Sequence, residues 1–198
     1  MGCTSSSFPG EGRPYAAAIG MANLGSITKE RFEAHLEKNP SDVNGYDPQM
    51  HQMMMMQMTL TMMVCSSRPD LLPSVLKFHP NLEAECDAGT ALAQAIGNNN
   101  HTCAVLLASV GASSESVFGE ARKDSSTADA CSQELKAAVL SAEATFQTIK
   151  LSDGADAAYA AGLATATQNP AAVQPPAATP AAPAVPLPPL KPLTAGDA

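Results

Sequence analysis

Gly2 and Cys3 are the residues in this chain whose types and spacing most directly suggest chemistry. The chain begins Met-Gly-Cys-Thr-Ser-Ser-Ser, and Gly2 with Ser6 fits the N-myristoylation pattern, in which Met1 is removed and the glycine amine is acylated. One myristoyl chain binds membranes only marginally, so stable attachment requires a second signal. The second signal is either a polybasic patch or another acyl chain. Residues 2–12 contain no lysine or arginine, so we predict palmitoylation of Cys3. The alternative is an unmodified polar arm.

A methionine-rich stretch, MHQMMMMQM at residues 50–58, suggests a second chemistry. Thioether sulfur selects Cu(I), and His51 stands among the methionines. Successive residues on a helix point in directions about 100° apart, so a three-sulfur site would need Met53, Met56 and a residue from another turn. We favour methionines that fill a core or form an adaptable partner surface, and we predict no metal site.

The other histidines and the cysteines form no catalytic pattern. Cys103 is two residues from His101 but lacks the buried third group that orients an activated pair. The five cysteines show neither a CxxC pair nor zinc-site spacing. The sequence therefore predicts a protein that is not an enzyme and has no cofactor.

Charge and composition narrow the classes further. The 198 residues include 11 basic and 19 acidic side chains, with a net charge of −8, which argues against nucleic-acid binding. The sequence has no apolar run of about 18 residues and no secretory signal, so we expect a place on the cytoplasmic side of a membrane, or otherwise in the cytoplasm. Aromatic content of 4% with no tryptophan favours an all-α fold.

Residues 85–113 have the pattern of two short helices joined by a tight turn. An apolar series beginning at Leu92 is followed by the break GNNN, and a second series from Cys103 ends at Gly111. Thr90 stands where its hydroxyl would cap the first helix, and Gly111 suits a left-handed closing residue.

This segment resembles an ankyrin repeat, because these residues stand at the family's offsets: Thr90, Leu92, Ala95, Leu106, Leu107, Gly111 and Ala112. Ala91 and Ala93 replace the usual proline and histidine. Counting back 32 residues from Leu92 reaches Leu60 in a weaker copy, and Thr28 would cap the second helix of an earlier one. The resemblance implies a short helical solenoid of about two and a half repeats over residues 24–115, after an N-terminal arm at 1–23.

A longer helix and a tail follow the repeats. Residues 126–151 form an amphipathic pattern that starts at a capping-box variant on Ser126, and its apolar stripe is Leu135, Val139, Ala142, Phe146 and Ile149. We expect it to cap the last repeat; a partner-binding or self-associating helix is the alternative. Residues 152–198 are expected to be a mostly disordered tail with a weak helical extension at 155–167, because nine of the 16 prolines fall after residue 169.

The tail also contains a short recognition motif. Pro186, Pro189 and Lys191 fit the PxxPx[K/R] form that a polyproline helix presents to an SH3-like domain. Dense prolines produce this spacing by chance, so a plain spacer is the alternative.

These patterns together predict a lipid-anchored, non-enzymatic adaptor for a protein partner. Ankyrin-family partners bind the hairpin tips and the concave face of the first helices, and the resemblance assigns that surface to Asp47, Glu85, Asp87, Ala93 and Gln94. Acidic tips would suit a basic partner. The alternatives are a soluble structural subunit of a larger assembly and, third, a Cu(I)-binding protein.

Overall fold

The computed structural model describes residues 24–46, 57–119 and 131–168. Within these ranges the chain forms eight α-helices and two 3₁₀ turns, with isolated β-bridges but no β-strand, which confirms the all-α class. The helices are α1 Lys29–Lys38, α2 Leu60–Ser67, α3 Leu72–Leu76, α4 Ala91–Gly97, α5 His101–Ser109, α6 Glu115–Phe118, α7 Gln133–Asp153 and α8 Ala155–Gln168. The 3₁₀ turns are Pro40–Asn44 and Pro69–Leu71.

Hydroxyl side chains fix where several helices begin. Thr28 caps α1 by accepting from the Arg31 N–H, and Thr90 caps α4 by accepting from the Ala93 N–H. Both caps were predicted and are confirmed. Helix α7 begins after Ser132, whose Oγ accepts from the Leu135 N–H at 3.1 Å; the predicted cap at Ser126 lies outside the described residues.

The helices pack in two series that share one core. Helix α2 packs on α4 and α4 on α6, whereas α1 packs on α3 and α5 on α7. The largest fully buried side chains include Phe32, Leu60, Leu72, Leu92 and Leu107. Met58, the last residue of the methionine-rich stretch, and Met62 and Met63 of α2 are also buried, so these three methionines fill the core.

Helix α7 buries the predicted stripe and is followed by a helix that turns back on the fold. Leu135, Val139 and Phe146 are buried, and Ala142 and Ile149 are half-buried. Gly154 has φ +94°, and beyond it α8 packs on α3, α5 and α7. We expected only a weak extension within a disordered tail, so the described fold extends further along the chain than predicted.

Small residues allow α8 to pack closely against the fold although its sequence is alanine-rich and has little apolar periodicity. Ala158 is fully buried, and Gly162 lies so close to the Ser109 carbonyl that a Cβ there would overlap it. Tyr159 also attaches α8 to the rest of the fold. Its hydroxyl donates to the Leu76 carbonyl at 2.7 Å, and its ring stacks on the His79 ring with the centroids 4.2 Å apart.

An acidic side chain links α1 to α3 and should make stability depend on pH. Glu33 Oε1 accepts from Ser74 Oγ at 2.6 Å and from Lys77 Nζ at 2.9 Å, and these bonds hold the pKa of Glu33 below its ordinary value of 4.5. A carboxyl with a lowered folded-state pKa stabilises the fold above its unfolded-state pKa and loses that contribution as pH falls through the folded value.

We therefore expect Glu33→Gln to lower the free energy of unfolding at neutral pH by up to about 1 kcal/mol, because the pair is partly screened by solvent. Between about pH 6 and pH 3 the variant should lose less stability than the parent. Urea unfolding at several pH values measures both curves. Parallel curves would contradict the assignment.

Candidate functional site

A tight turn before α4 presents two of the predicted partner-binding residues. Cys86 and Gly89 pair through two backbone hydrogen bonds, N–H to carbonyl, of 3.2 and 2.8 Å, and Gly89 adopts φ +90°. Glu85 and Asp87 are exposed on this turn. The turn thus places two carboxylates on the surface beside the first helix of a helix pair.

Ala93 and Gln94 lie behind that turn and support it. Ala93 is only 9% exposed, because it packs beneath Gly89, where an added Cβ would come within 2.9 Å of the Ala93 Cβ. Gln94 is half-buried, and its Nε2 donates to the Ala88 carbonyl at 2.6 Å. Of the predicted partner-binding residues described so far, those on the turn therefore contribute most of the solvent-exposed area.

Two further carboxylates extend the acidic character of this region, and sequence reasoning missed them. Glu83 Oε1 accepts from the Ser113 N–H at 2.7 Å, and Glu143 Oε2 accepts from the Ser114 N–H at 3.3 Å. Burial raises the pKa of Glu83, and the charge of Glu143 raises it further. We call Glu83, Glu85, Asp87 and Glu143 the acidic surface. Only the packing of α7 brings Glu143 there, so no local pattern signalled it.

An apolar groove opens between α5, α7 and α8. Its volume is about 470 Å³. Its walls include Val105 and Leu106 of α5, Phe146 and Ile149 of α7, and Ala158 and Ala161 of α8. Sequence reasoning found the α7 stripe but not the groove, because the groove exists only where α8 turns back.

Three hydroxyl groups on the groove walls donate hydrogen bonds within their own helices. Ser109 Oγ donates to the Leu106 carbonyl at 2.8 Å, Thr145 Oγ1 to Ser141 at 2.9 Å, and Thr165 Oγ1 to Ala161 at 3.1 Å. At one end the His101 ring bonds Asn99 Oδ1 at 3.0 Å. The groove consequently presents a mostly apolar lining to whatever occupies it.

Of the histidines in the described ranges, His101 lies at one end of the groove, and the cysteines Cys65, Cys86 and Cys103 are buried. No group of three or more histidine, cysteine, aspartate or glutamate side chains within those ranges is arranged to hold a metal ion. Cys65 is buried, and its contact with Cys103 together with burial raises the pKa of its thiol. A thiol held protonated is a poor nucleophile.

Several predicted site residues lie outside the described residues. They are the acylation residues Gly2 and Cys3, Asp47 of the partner surface, His51 with Met53 to Met56, and the tail residues Pro186, Pro189 and Lys191. In the described part of the chain, no helix has both the length and the apolar character that crossing a membrane requires.

Neither a protein-family model, nor a curated protein, nor a solved structure matches this chain.

Proposed function

We propose that this protein is a non-enzymatic interaction adaptor: a short ankyrin-like stack that acyl groups on Gly2 and Cys3 attach to the cytoplasmic face of a membrane. Its acidic surface would bind a basic patch on a protein partner. The observation that carries the proposal is the spacing of the hydrogen bonds between helix pairs.

Three hydrogen bonds between the α2–α3 unit and the α4–α5 unit join residues about one repeat length apart. Asn98 Nδ2 donates to Ser66 Oγ across 32 residues, and the Ser113 N–H donates to Glu83 Oε1 across 30. Asn100 Nδ2 donates to the Cys65 carbonyl across 35 residues. Stacked repeats place equivalent positions side by side, and an ankyrin unit is about 33 residues long, so this offset supports stacking of these two units. The hydrogen bonds between residues 24–44 and residues 68–81 span 37 to 44 residues, so the interval between the first two units is longer.

A stack of this kind serves binding because each unit adds a turn to one continuous surface. Here the turn residues Glu85 and Asp87 are exposed and negatively charged. Glu83 stands two residues before the turn, and Glu83 and Glu143 accept from the adjacent Ser113 and Ser114 N–H groups. Complementary charge steers association and disfavours acidic competitors. A basic protein surface is therefore the partner that this chemistry favours.

Charge reversal at the turn tests the adaptor proposal. We expect Glu85→Lys with Asp87→Lys to raise the Kd for a basic partner about tenfold, which is about 1.4 kcal/mol of binding free energy, and so to reduce proximity labelling of basic partners in cells. Both side chains are exposed, so the fold should tolerate the change.

The matched control is Glu37→Lys with Asp153→Lys, which makes the same change in net charge at exposed positions on α1 and α7. The control should label the same partners as the parent. An equal loss in both double variants, or no loss in either, would contradict a specific role for the turn.

One observation favours a second candidate, a structural subunit of a larger assembly. Helix α7 exposes Leu151 to 88% and Leu140 to 42%, and large exposed apolar side chains are suited to burial by a neighbour. Under this alternative the protein would co-purify in a complex of fixed composition, and Leu151→Ser would weaken it while the turn variants would not.

A further inference from the structure

The apolar groove has no role in the adaptor function proposed above. Its lining suggests a second role for the acylated N-terminus. We propose that this groove holds the myristoyl chain of the protein's own Gly2, in competition with the membrane. The inference rests on the acylation included in the proposed function.

The lining favours a hydrocarbon chain over a peptide. A bound peptide segment brings backbone N–H and carbonyl groups that each need a partner when buried. The hydroxyls of Ser109, Thr145 and Thr165 already donate their hydrogens within their own helices, so they have none to give to the carbonyl groups of a peptide. An acyl chain has no polar group along its length, and its methylenes gain from leaving water.

The size and form of the groove suit a reversible occupant. Its volume of about 470 Å³ lies within the range of about 300 to 1,000 Å³ that is typical of small-molecule sites. Ala161 and Thr165 line the groove yet are exposed, so one side opens to solvent. A chain can therefore enter and leave without unfolding of the surrounding helices.

The length of chain outside the described fold allows this occupant to reach the groove. Described structure begins at Leu24, and residues 2–23, when extended, span up to about 75 Å. A folded unit of this size has a radius of gyration of about 14 Å. Gly2 can thus reach any part of the surface.

The consequence is an anchor that can be withdrawn. A single myristoyl chain binds membranes marginally, so a groove that also binds it would shift the equilibrium towards the protein whenever Cys3 carries no palmitate. Palmitoylation would then shift the balance back to the bilayer.

The test uses the full chain with Cys3→Ser, myristoylated by co-expressed N-myristoyltransferase, and phosphatidylcholine vesicles as the probe. Ala161→Phe fills the groove, whereas Ala160→Phe adds the same side chain at an exposed position that does not line it. If the groove is occupied nine-tenths of the time, Ala161→Phe should raise vesicle affinity about tenfold over the parent. Ala160→Phe should leave it unchanged.

A second measurement does not depend on any groove variant. Nuclear Overhauser contacts between an isotope-labelled myristoyl chain and the methyl groups of Val105 and Ile149 should appear in the Cys3→Ser protein in solution. The proposal would be overturned if Val105 and Ile149 instead showed contacts with Leu187 or Leu190 of the tail. It would also be overturned if the myristoyl chain contacted these methyl groups only in a second copy of the protein, or if no contacts appeared. Equal vesicle affinity in both phenylalanine variants would also overturn it.

This proposal and the proposed function fail separately. An unmodified N-terminus in the native cell would defeat the membrane adaptor, whereas the vesicle and contact measurements use protein that is acylated by design. Those measurements therefore report on the groove alone.

Discussion

Gly111→Ala is expected to lower the free energy of unfolding by about 4 kcal/mol, because two costs add at this position. Gly111 adopts φ +103°, where a Cβ strains the backbone. An alanine Cβ would also lie 2.6 Å from the Phe146 ring, and that ring is buried where α7 packs against α5. Relief of this overlap requires α7 to move away from α5.

Two other glycines separate the two costs. Gly154 has φ +94°, yet nothing lies within 4 Å of an added Cβ, so Gly154→Ala should cost only the backbone strain, about 2 kcal/mol. Gly25 has neither a positive φ nor a near neighbour, so Gly25→Ala should stay within about 0.5 kcal/mol of the parent. Urea unfolding followed by far-UV circular dichroism measures all three. Equal costs for Gly111→Ala and Gly154→Ala would show that the Phe146 contact does not hold α7 in place.

The largest functional effect is expected from Gly2→Ala, which replaces the N-terminal glycine that N-myristoylation requires. Palmitate on Cys3 would then be at most a single lipid signal, and one acyl chain binds marginally. We expect the membrane-bound fraction to fall nearly to zero. Cell fractionation with a labelled myristate analogue measures both the attachment and the acylation.

Two further variants complete this test. Cys3→Ser should retain the myristate label but attach weakly, whereas Thr4→Ala, at a free position of the motif, should behave as the parent does. Unchanged fractionation of both Gly2→Ala and Cys3→Ser would contradict lipid anchoring.

The parts of the fold that the sequence predicted correctly follow from patterns within a single segment of the chain. Thr28 and Thr90 cap their helices because a threonine hydroxyl at the N-cap accepts from a free N–H group of the first turn. The stripe of α7 from Leu135 to Ile149 is likewise a pattern within one segment, and the structure buries or half-buries its five members. Such signals need no knowledge of what packs against them.

The parts that were missed depend on contacts distant in sequence. Helix α8 has an alanine-rich sequence with little apolar periodicity, and its docking depends on the close approach of Gly162 to Ser109, 53 residues earlier. The groove exists only because α8 turns back, so it could not be inferred either. Glu143 is linked to the acidic surface through its bond with the Ser114 backbone, which the spacing of neither segment indicates.

The intact mass of the protein from its native cell tests the membrane-adaptor account most directly. The account predicts loss of Met1 and a gain equal to one myristoyl plus one palmitoyl group. A mass equal to that of the unmodified chain would contradict it and would favour the structural subunit, in which a neighbour covers Leu151.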